Sequence, residues 1–207
     1  MRIDRLAVMV SGGGTNLQAV VDACADGRIP ARVACVISSR SDAYALERAK
    51  QAGVPAAVIR PRDYAAQDAH DEAVMQALER FGAQAVVLAG YMSILGPALV
   101  RQYQYRIVNI HPALIPSFCG RGYYGRRVHE AVLDYGAKVS GATVHFVDEG
   151  TDTGPIIMQR CVPVLDGDTP EALAARILEV EHEILPRSVA LLCEGRLRVE
   201  GRRVFVD

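Results

Sequence analysis

Short apolar runs alternate with stretches of helical periodicity through the first half of the chain. The apolar runs predict buried strands at 6–10, 32–37, 56–59, 85–88 and 107–110. Helices are predicted between them at about 17–24, 41–52 and 68–81. Because strands that alternate with helices at this spacing are joined by right-handed crossovers, the pattern predicts a parallel, doubly wound sheet.

The pattern loosens beyond residue 110. Residues 117–125 are rich in glycine and aromatic side chains, a composition that predicts a loop. Thr169 with Pro170 marks the start of a helix that reaches about residue 193 and that Pro186 could bend. The remaining predictions are a helix at 126–135, strands at 139–147 and 156–164 joined by a polar loop, and a hairpin of 197–199 and 204–206. We therefore expect a single α/β domain with a mostly parallel sheet and a less regular C-terminal third.

Composition and charge exclude several classes of protein. The 207 residues carry 23 Lys and Arg against 24 Asp and Glu, so no overall charge favours nucleic acid or a membrane surface. The five cysteines are odd in number and no pair has Cys-x-x-Cys spacing, which argues against a disulfide framework and a zinc knuckle. Neither a signal peptide nor a membrane-spanning run is predicted. We expect a cytoplasmic protein, monomeric or homodimeric, that acts on small molecules.

A glycine-rich segment, Ser-Gly-Gly-Gly-Thr-Asn at 11–16, lies between the first predicted strand and helix. Glycines let the backbone approach a ligand closely, and the amides and dipole of a helix start favour an anion. The dinucleotide fingerprint requires glycine where Leu17 stands, and the Gly-Lys-Ser/Thr of nucleoside-triphosphate loops is absent. A phosphate monoester fits the segment better than either, and a simple connecting turn is the alternative.

Asn109 and His111 lie at the carboxyl end of the fifth predicted strand, the edge where open α/β sheets bind ligands. Residues two apart in a strand share a face, so both side chains can address one substrate atom. Asp152, in the turn-forming sequence Thr-Asp-Thr-Gly-Pro, could raise the imidazole pKa and fix its tautomer. The alternatives are structural: Asn109 and His111 could satisfy backbone groups, and Asp152 could be a turn residue.

Other polar residues carry structural interpretations at this point. His145 alternates with apolar residues on a predicted strand, and His70, His129 and His182 lie on predicted helices, where surface or packing roles are usual. Cys119 is interpreted as a small apolar loop residue rather than a reactive thiol. No trio of His, Cys and acidic residues has metal-ligand spacing, so no metal is expected.

Several segments together resemble the folate-dependent phosphoribosylglycinamide formyltransferases of purine biosynthesis. They are Ser-Gly-Gly-Gly-Thr-Asn-Leu-Gln at 11–18, Leu-Ala-Gly-Tyr-Met-Ser-Ile-Leu at 88–95, Asn-Ile-His-Pro-Ala-Leu-Ile-Pro at 109–116, Gly-Ala-Thr-Val-His-Phe-Val at 141–147, Asp-Thr-Gly-Pro-Ile-Ile at 152–157 and Glu-His at 181–182. Their order and spacing match the family from residue 8 to about 186. The Asn-x-His-Pro segment with a downstream Asp-x-Gly-Pro is specific to enzymes of folate formyl groups, but not to one member.

The resemblance implies a substrate site at the glycine-rich segment. Gly14, Thr15 and Asn16 would hold the phosphate of glycinamide ribonucleotide, and Gly13 would shape the loop. Glu181 would contact the ribose or glycinamide end of the same substrate. The N-terminal part, about 1–105, would then be the phosphate-binding part, and about 106–207 the folate-binding and catalytic part.

The resemblance also implies the chemistry and its co-substrate, 10-formyltetrahydrofolate. The catalytic residues would be Asn109, His111 and Asp152. Asn109 and protonated His111 would donate to the oxyanion formed when the amine attacks the formyl carbon, and Asp152 would keep His111 protonated. Asn109 would also contact the folate. The pterin pocket would be lined, largely through backbone groups, by Met92, Ser93, Ile94 and Leu95.

The sequence departs from the family at two places. Members usually carry Pro-Gly in the segment that here reads Cys-Gly-Arg-Gly-Tyr-Tyr-Gly at 119–125. Three arginines in and after this segment, Arg121, Arg126 and Arg127, could bind phosphate or a folate glutamate tail, or they could simply belong to the solvated start of a helix. At Gln67 the family often has an arginine that contacts the folate. We expect Gln67 to replace it with a weaker contact.

Related enzymes are the competing interpretations. A 10-formyltetrahydrofolate deformylase shares the Asn, His and Asp, but it carries an N-terminal regulatory domain that we do not expect here, and it lacks the full glycine-rich segment. Methionyl-tRNA formyltransferases carry a tRNA-binding domain and sugar-nucleotide formyltransferases lack the phosphate segment. A non-catalytic sensor is disfavoured because all three catalytic positions are retained.

Overall fold

Nine strands form one sheet in the computed structural model, which describes residues 2–207; Met1 lies outside the described residues. The strands are β1 (Arg5–Val10), β2 (Arg32–Ser38), β3 (Ala56–Val58), β4 (Ala85–Leu88), β5 (Ile107–His111), β6 (Val139–Phe146), β7 (Ile156–Pro163), β8 (Leu197–Glu200) and β9 (Arg203–Val206). Their order across the sheet is β3-β2-β1-β4-β5-β6-β7-β9-β8.

The helices connect these strands. They are α1 (Thr15–Ala25), α2 (Ala45–Gln51), α3 (Gln67–Arg80), α4 (Pro97–Gln102), α5 (Arg126–Tyr135) and α6 (Pro170–Glu194). Helix α2 begins later than the predicted residue 41, because residues 41–44 form turns, and α4 is a short helix that the sequence pattern does not reveal. The Thr169 hydroxyl accepts from the Ala172 amide as the predicted N-cap, and α6 continues through Pro186 to Glu194.

The predicted parallel sheet is confirmed for the first half of the chain. β1, β2, β3, β4 and β5 pair in parallel, in the order that crossover helices impose. β6 then pairs antiparallel with β5, and β7 antiparallel with β6. The loosened pattern of the C-terminal third thus corresponds to a change from parallel to antiparallel pairing within the same sheet.

The core lies on both faces of the sheet, as strand alternation requires. Leu6, Val8 and Val10 of β1 pack toward the α1 and α6 side, whereas Ala7 and Met9 pack toward the α3 and α4 side. All of these side chains are fully buried.

The boundary expected near residue 105 falls between α4 and β5, and the β4–β5 pairing runs across it. Within residues 2–207, no helix combines the length and apolar character that a membrane crossing requires.

Candidate active site

A cavity of about 1060 Å³ opens at the carboxyl ends of β4 and β5. Its walls come from the segments around residues 90–95, 109–112, 120–125 and 147–152, and from one face of α6. Among the residues singled out from the sequence, the lining contains Asn16, Met92, Ser93, Ile94, Leu95, Asn109, His111, Asp152 and Glu181. The structure therefore brings together the predicted catalytic residues, the predicted pterin segment and part of the predicted substrate site.

Asn109 reaches the cavity beside a histidine from the neighbouring strand. In the β5–β6 pairing Asn109 lies opposite His145, and Asn109 Nδ2 donates to His145 Nε2 at 3.1 Å. His145 Nδ1 donates in turn to the Phe146 carbonyl at 2.8 Å, which leaves Nε2 as the acceptor. His145 is 2% exposed and lines the cavity, so it is a part of the site that its structural interpretation missed.

His111 is held by the loop that follows it. Its Nε2 donates to the Phe118 carbonyl at 2.9 Å, and its Nδ1 lies 3.7 Å from Asp152 Oδ2. The second distance is longer than a direct hydrogen bond. Since Nε2 is engaged with a carbonyl, Nδ1 is the nitrogen that can exchange a proton with a group in the cavity.

Asp152 lies between the two histidines and the loop that contains Gly120. Its Oδ2 accepts from the Gly120 amide at 2.9 Å, and its Oδ1 lies 3.6 Å from His145 Nε2. The backbone of Asp152 is left-handed, with φ 58°, as is that of Phe118, with φ 50°. Such conformations in residues other than glycine are unfavourable by roughly 1–3 kcal/mol each and concentrate at functional sites. The turn thus has a conformation that aims the carboxylate into the cavity.

Burial decides the protonation of His111. It lowers the pKa of His111 below the ordinary value of 6.5, and outweighs the raising effects of Asp152 and the Phe118 carbonyl. Asp152 thus acts in the expected direction, but burial opposes the protonation of His111 expected from it. For Asp152, burial alone would raise the pKa, but its polar contacts, among them the hydrogen bond from the Gly120 amide, lower it below 3.8. The pair at neutral pH is a neutral imidazole beside a carboxylate.

Within residues 2–207, the amides of residues 12–16 have no hydrogen-bond partner where the glycine-rich segment turns into α1. Gly14 precedes the helix with φ 74°, and within residues 2–207 no side chain caps the helix start. The carbonyls face α2 instead: Gly12 O accepts from the Ala45 amide at 3.0 Å, and Gly13 O accepts from Arg48 Nε at 2.9 Å. Free amides at a helix start form an anion site, so the geometry fits the predicted phosphate loop.

A second cavity, of about 410 Å³, lies against the same helix start. Thr15 lines it together with basic side chains from other elements, namely Arg28, Arg48 and His182. Arg48 also donates to Gln18 Oε1 at 3.3 Å. None of these basic residues could be assigned to the segment from the sequence, because α2 and α6 bring Arg48 and His182 there only in the folded chain.

Asn16 and Glu181 form a buried pair between the two cavities. Asn16 Nδ2 donates to Glu181 Oε2 at 2.7 Å, and the two residues are 9% and 7% exposed. Asn16 Oδ1 has no hydrogen-bond partner among the described residues. Burial raises the pKa of Glu181 to about 7, although the Asn16 amide opposes the shift. The pair thus places the Glu181 carboxyl group in the wall of the main cavity, where it can accept from a ligand with hydroxyl groups.

The segment Met92–Leu95, which we call the folate segment after the contact predicted for it from the sequence, forms one wall of the main cavity. The Met92 amide donates to Ser11 Oγ at 2.8 Å, which ties this segment to the glycine-rich one. The Met92 and Ile94 side chains are 53% and 60% exposed, and they leave a large apolar surface open. Gln67 is not in the cavity lining; its Nε2 donates to the Ile94 carbonyl at 2.9 Å.

The atypical segment 119–125 covers the opposite wall. Its Gly120 amide binds Asp152, and Arg121, Tyr123 and Tyr124 line the cavity. Burial and the nearby Asp152 raise the pKa of the Cys119 thiol, which keeps it protonated at neutral pH and agrees with a packing role. Arg126 pairs with Glu130 and Glu171 on the helix surface instead of facing the cavity.

His129 is a further cavity residue that the sequence placed among packing residues. It is 6% exposed, and its Nδ1 has no partner within the described part of the chain. Burial, and secondarily His111, lowers its pKa. Across residues 2–207, no group of three or more His, Cys, Asp and Glu side chains is arranged to hold a metal ion.

Comparison with known proteins gives one consistent result. Residues 4–189 match the formyl transferase family. The phosphoribosylglycinamide formyltransferase of Haemophilus influenzae is 41% identical over 98% of this chain and 93% of that protein. The structure of glycinamide ribonucleotide transformylase 1 from Symbiobacterium toebii has a TM-score of 0.94 and 49% identity, over 99% of this chain and 94% of that one.

A deformylase is also similar, but less so. The formyltetrahydrofolate deformylase of Pseudomonas syringae pv. tomato has a TM-score of 0.88 and 28% identity. This chain is covered to 99%, but it spans 66% of the deformylase chain. The fold is thus shared with a hydrolase, while sequence identity favours the transferases.

Proposed function

Because this chain belongs to the formyl transferase family and, within it, to the phosphoribosylglycinamide formyltransferases, we propose that it moves the formyl group of 10-formyltetrahydrofolate to the amine of glycinamide ribonucleotide. The reaction of these enzymes is a formyl transfer in purine biosynthesis. The observation that carries the proposal is a single cavity that joins Asn109, His111 and Asp152 to the free start of α1 through Asn16.

The phosphate of glycinamide ribonucleotide binds at the start of α1. The amides of Gly14, Thr15 and Asn16 donate to it, and Gly13, whose carbonyl is held by Arg48, keeps the loop in place. Arg48 and Arg28 supply positive charge to the adjacent cavity, against the one carboxylate of Asp22, and together with the helix start they favour a dianionic monoester. The ribose then lies over Glu181, whose buried carboxyl group accepts from its hydroxyl groups.

The pterin binds along the folate segment. Its ring system packs on the exposed Met92 and Ile94, and the backbone groups of residues 92–95 supply hydrogen bonds to its polar edge. Gln67 acts on this wall through the Ile94 carbonyl rather than by lining the cavity. Arg121, on the opposite wall, is the cavity residue with the charge to meet a folate glutamate carboxylate.

The chemistry proceeds by direct attack. The substrate amine attacks the formyl carbon, and the formyl oxygen becomes an oxyanion that Asn109 Nδ2 stabilises. A preorganised donor of this kind contributes about 3 kcal/mol in related acyl transfers. The carbon–nitrogen bond to the folate then breaks, the proton lost by the amine passes to the folate nitrogen, and tetrahydrofolate and the formamide of the substrate amine leave.

His111 carries the proton between these groups. Since its Nε2 donates to the Phe118 carbonyl, Nδ1 takes the proton that the attacking amine loses and then presents an N–H to the oxyanion. The imidazolium formed lies 3.7 Å from Asp152 Oδ2, and the carboxylate stabilises its charge. Asp152 therefore acts on the protonated intermediate rather than on the resting imidazole.

One assay separates the transferase from its alternatives. The protein is incubated with 10-formyltetrahydrofolate, with and without glycinamide ribonucleotide, and the appearance of tetrahydrofolate is followed. Turnover that requires the amine supports the proposal. Turnover without it would identify a deformylase, and binding without turnover a sensor, and either result would overturn the proposal.

A further inference from the structure

Behind the folate segment lies a buried acidic side chain that the proposed reaction does not use. Asp71, on α3, is 1% exposed and faces the chain at Gly96. Its Oδ2 has no hydrogen-bond partner among the described residues. A buried carboxylate oxygen without a donor is unfavourable for stability, so packing alone does not account for this residue.

Asp71 is linked to the folate segment by one amide group. Gln67 Nε2 donates both to Asp71 Oδ1, at 2.8 Å, and to the Ile94 carbonyl, at 2.9 Å. Because a carboxylate is a strong acceptor, it fixes the orientation of the Gln67 amide and keeps the NH₂ group directed at residue 94. The Ile94 carbonyl is thereby fixed in place by α3.

The carboxylate also touches the end of the folate segment. A Cβ added to Gly96 would overlap Asp71 Oδ2. Gly96 has φ −80°, which every residue adopts, so the position needs glycine for space and not for backbone conformation. Asp71 therefore sets how closely α3 and the chain at residue 96 approach each other.

A histidine extends the same contact to the beginning of the segment. His70 Nδ1 lies 3.4 Å from Asp71 Oδ1, and His70 Nε2 lies 3.5 Å from the Tyr91 hydroxyl. Both are long for hydrogen bonds, but Tyr91 is 9% exposed and immediately precedes the folate segment. Residues 91, 94 and 96 thus contact, in turn, His70, Gln67 and Asp71, three neighbouring residues of α3.

We propose that Asp71, acting through Gln67, is a positioning residue that holds the backbone of the folate segment in the conformation that receives the folate. The inference rests on the proposed function, since it assigns the segment to the folate and not to the phosphoribosyl substrate. Asp71 touches neither substrate. Its loss therefore weakens the folate site selectively and leaves the other site and the chemical step in place.

The experiment is a double-mutant cycle of Asp71→Ala and Gln67→Leu, with Asp71→Asn as a milder variant should Asp71→Ala fail to fold. Glu72→Gln, an exposed neighbour on α3, is the matched control. We expect each single variant to raise the KM for 10-formyltetrahydrofolate about tenfold, because one buried hydrogen-bonded link is lost. The KM for glycinamide ribonucleotide and kcat should change less than about twofold, and the double variant should resemble Gln67→Leu.

Two kinetic results would overturn the inference: equal rises in both KM values, or effects of Asp71 and Gln67 that simply add. Calorimetric titration with tetrahydrofolate keeps the two proposals distinguishable. If the parent protein binds tetrahydrofolate but transfers no formyl group, the proposed function fails, and the variants' Kd values still decide the role of Asp71. If the parent protein binds no tetrahydrofolate, both proposals fail.

Discussion

Replacing Glu181 with glutamine separates the stability of this protein from its substrate binding. Glu181 is 7% exposed, and within residues 2–207 its carboxyl group accepts from Asn16 Nδ2, at 2.7 Å. Glutamine has the same shape and keeps an oxygen that can accept from Asn16, but it cannot ionise. The substitution therefore removes a buried charge with little change in packing.

The magnitude follows from the raised pKa. Burial raises the pKa of Glu181 from 4.5 to about 7 in the folded protein. The folded state thus holds the proton more tightly than the unfolded state, so the contribution of Glu181 to stability is full below pH 4.5 and is lost as the pH rises through 7. At a pH above both values the difference corresponds to roughly 3 kcal/mol, an order-of-magnitude figure that Glu181→Gln should recover.

Thermal unfolding at several pH values measures the effect. At about pH 8 we expect Glu181→Gln to unfold about 6–12 °C above the parent protein if the full value is recovered, and near pH 4 the difference should vanish. Glu179→Gln, an exposed residue of the same helix, is the control and should show no such pH dependence. A Tm difference that is the same at both pH values would refute the reasoning.

The same variant should bind glycinamide ribonucleotide poorly. A carboxylate accepts hydroxyl hydrogen bonds more strongly than an amide, so we expect the KM for this substrate to rise about tenfold while the KM for the folate stays within about twofold. A more stable protein with a weaker substrate site is the expected combination. Unchanged KM values would remove Glu181 from the site.

Three further predictions concern the loop and the catalytic residues. His111→Ala should lower kcat by about 100-fold or more with the fold intact by circular dichroism, and a fully active variant would contradict its role. Because the pKa of His111 is lowered below 6.5, the loss of kcat/KM for the folate that protonation of His111 causes should begin only below pH 6.5, at saturating glycinamide ribonucleotide; a rise on acidification in that range would mean that the imidazolium is the reactive resting form. Gly14→Ala, with φ 74° and a Cβ 2.6 Å from that of Ala45, should lower the Tm and raise the KM for glycinamide ribonucleotide, whereas Gly12→Ala, which meets nothing within 4 Å, should do neither.

The parallel half of the fold can be predicted because its strands are buried on both faces. Such strands are continuous apolar runs, as in β4, and they are easily distinguished from amphipathic helices such as α3. Helix α4 cannot be predicted in the same way, since six residues are too few to show a helical period. The position of Asn109 and His111 at the ligand-binding edge of the sheet can also be predicted, because it requires only the end of the fifth strand and no tertiary contact.

The remaining parts of the site depend on tertiary packing. His145 faces Asn109 because β6 pairs antiparallel with β5, and an irregularity between Val144 and His145 modifies its pairing with β7. Neither property can be derived from apolar alternation. The neutral state of His111 depends on how deeply the loop at Phe118 buries it, and that burial outweighs the carboxylate from which the opposite pKa shift was expected.

The most direct test of the central claim follows the formyl carbon itself. The protein is given 10-formyltetrahydrofolate labelled with ¹³C in the formyl group, together with glycinamide ribonucleotide, and the label is traced by nuclear magnetic resonance. The account predicts that the label appears as a formamide on the substrate amine, one for each tetrahydrofolate formed. Label recovered as free formate, or retained on the folate, would contradict it.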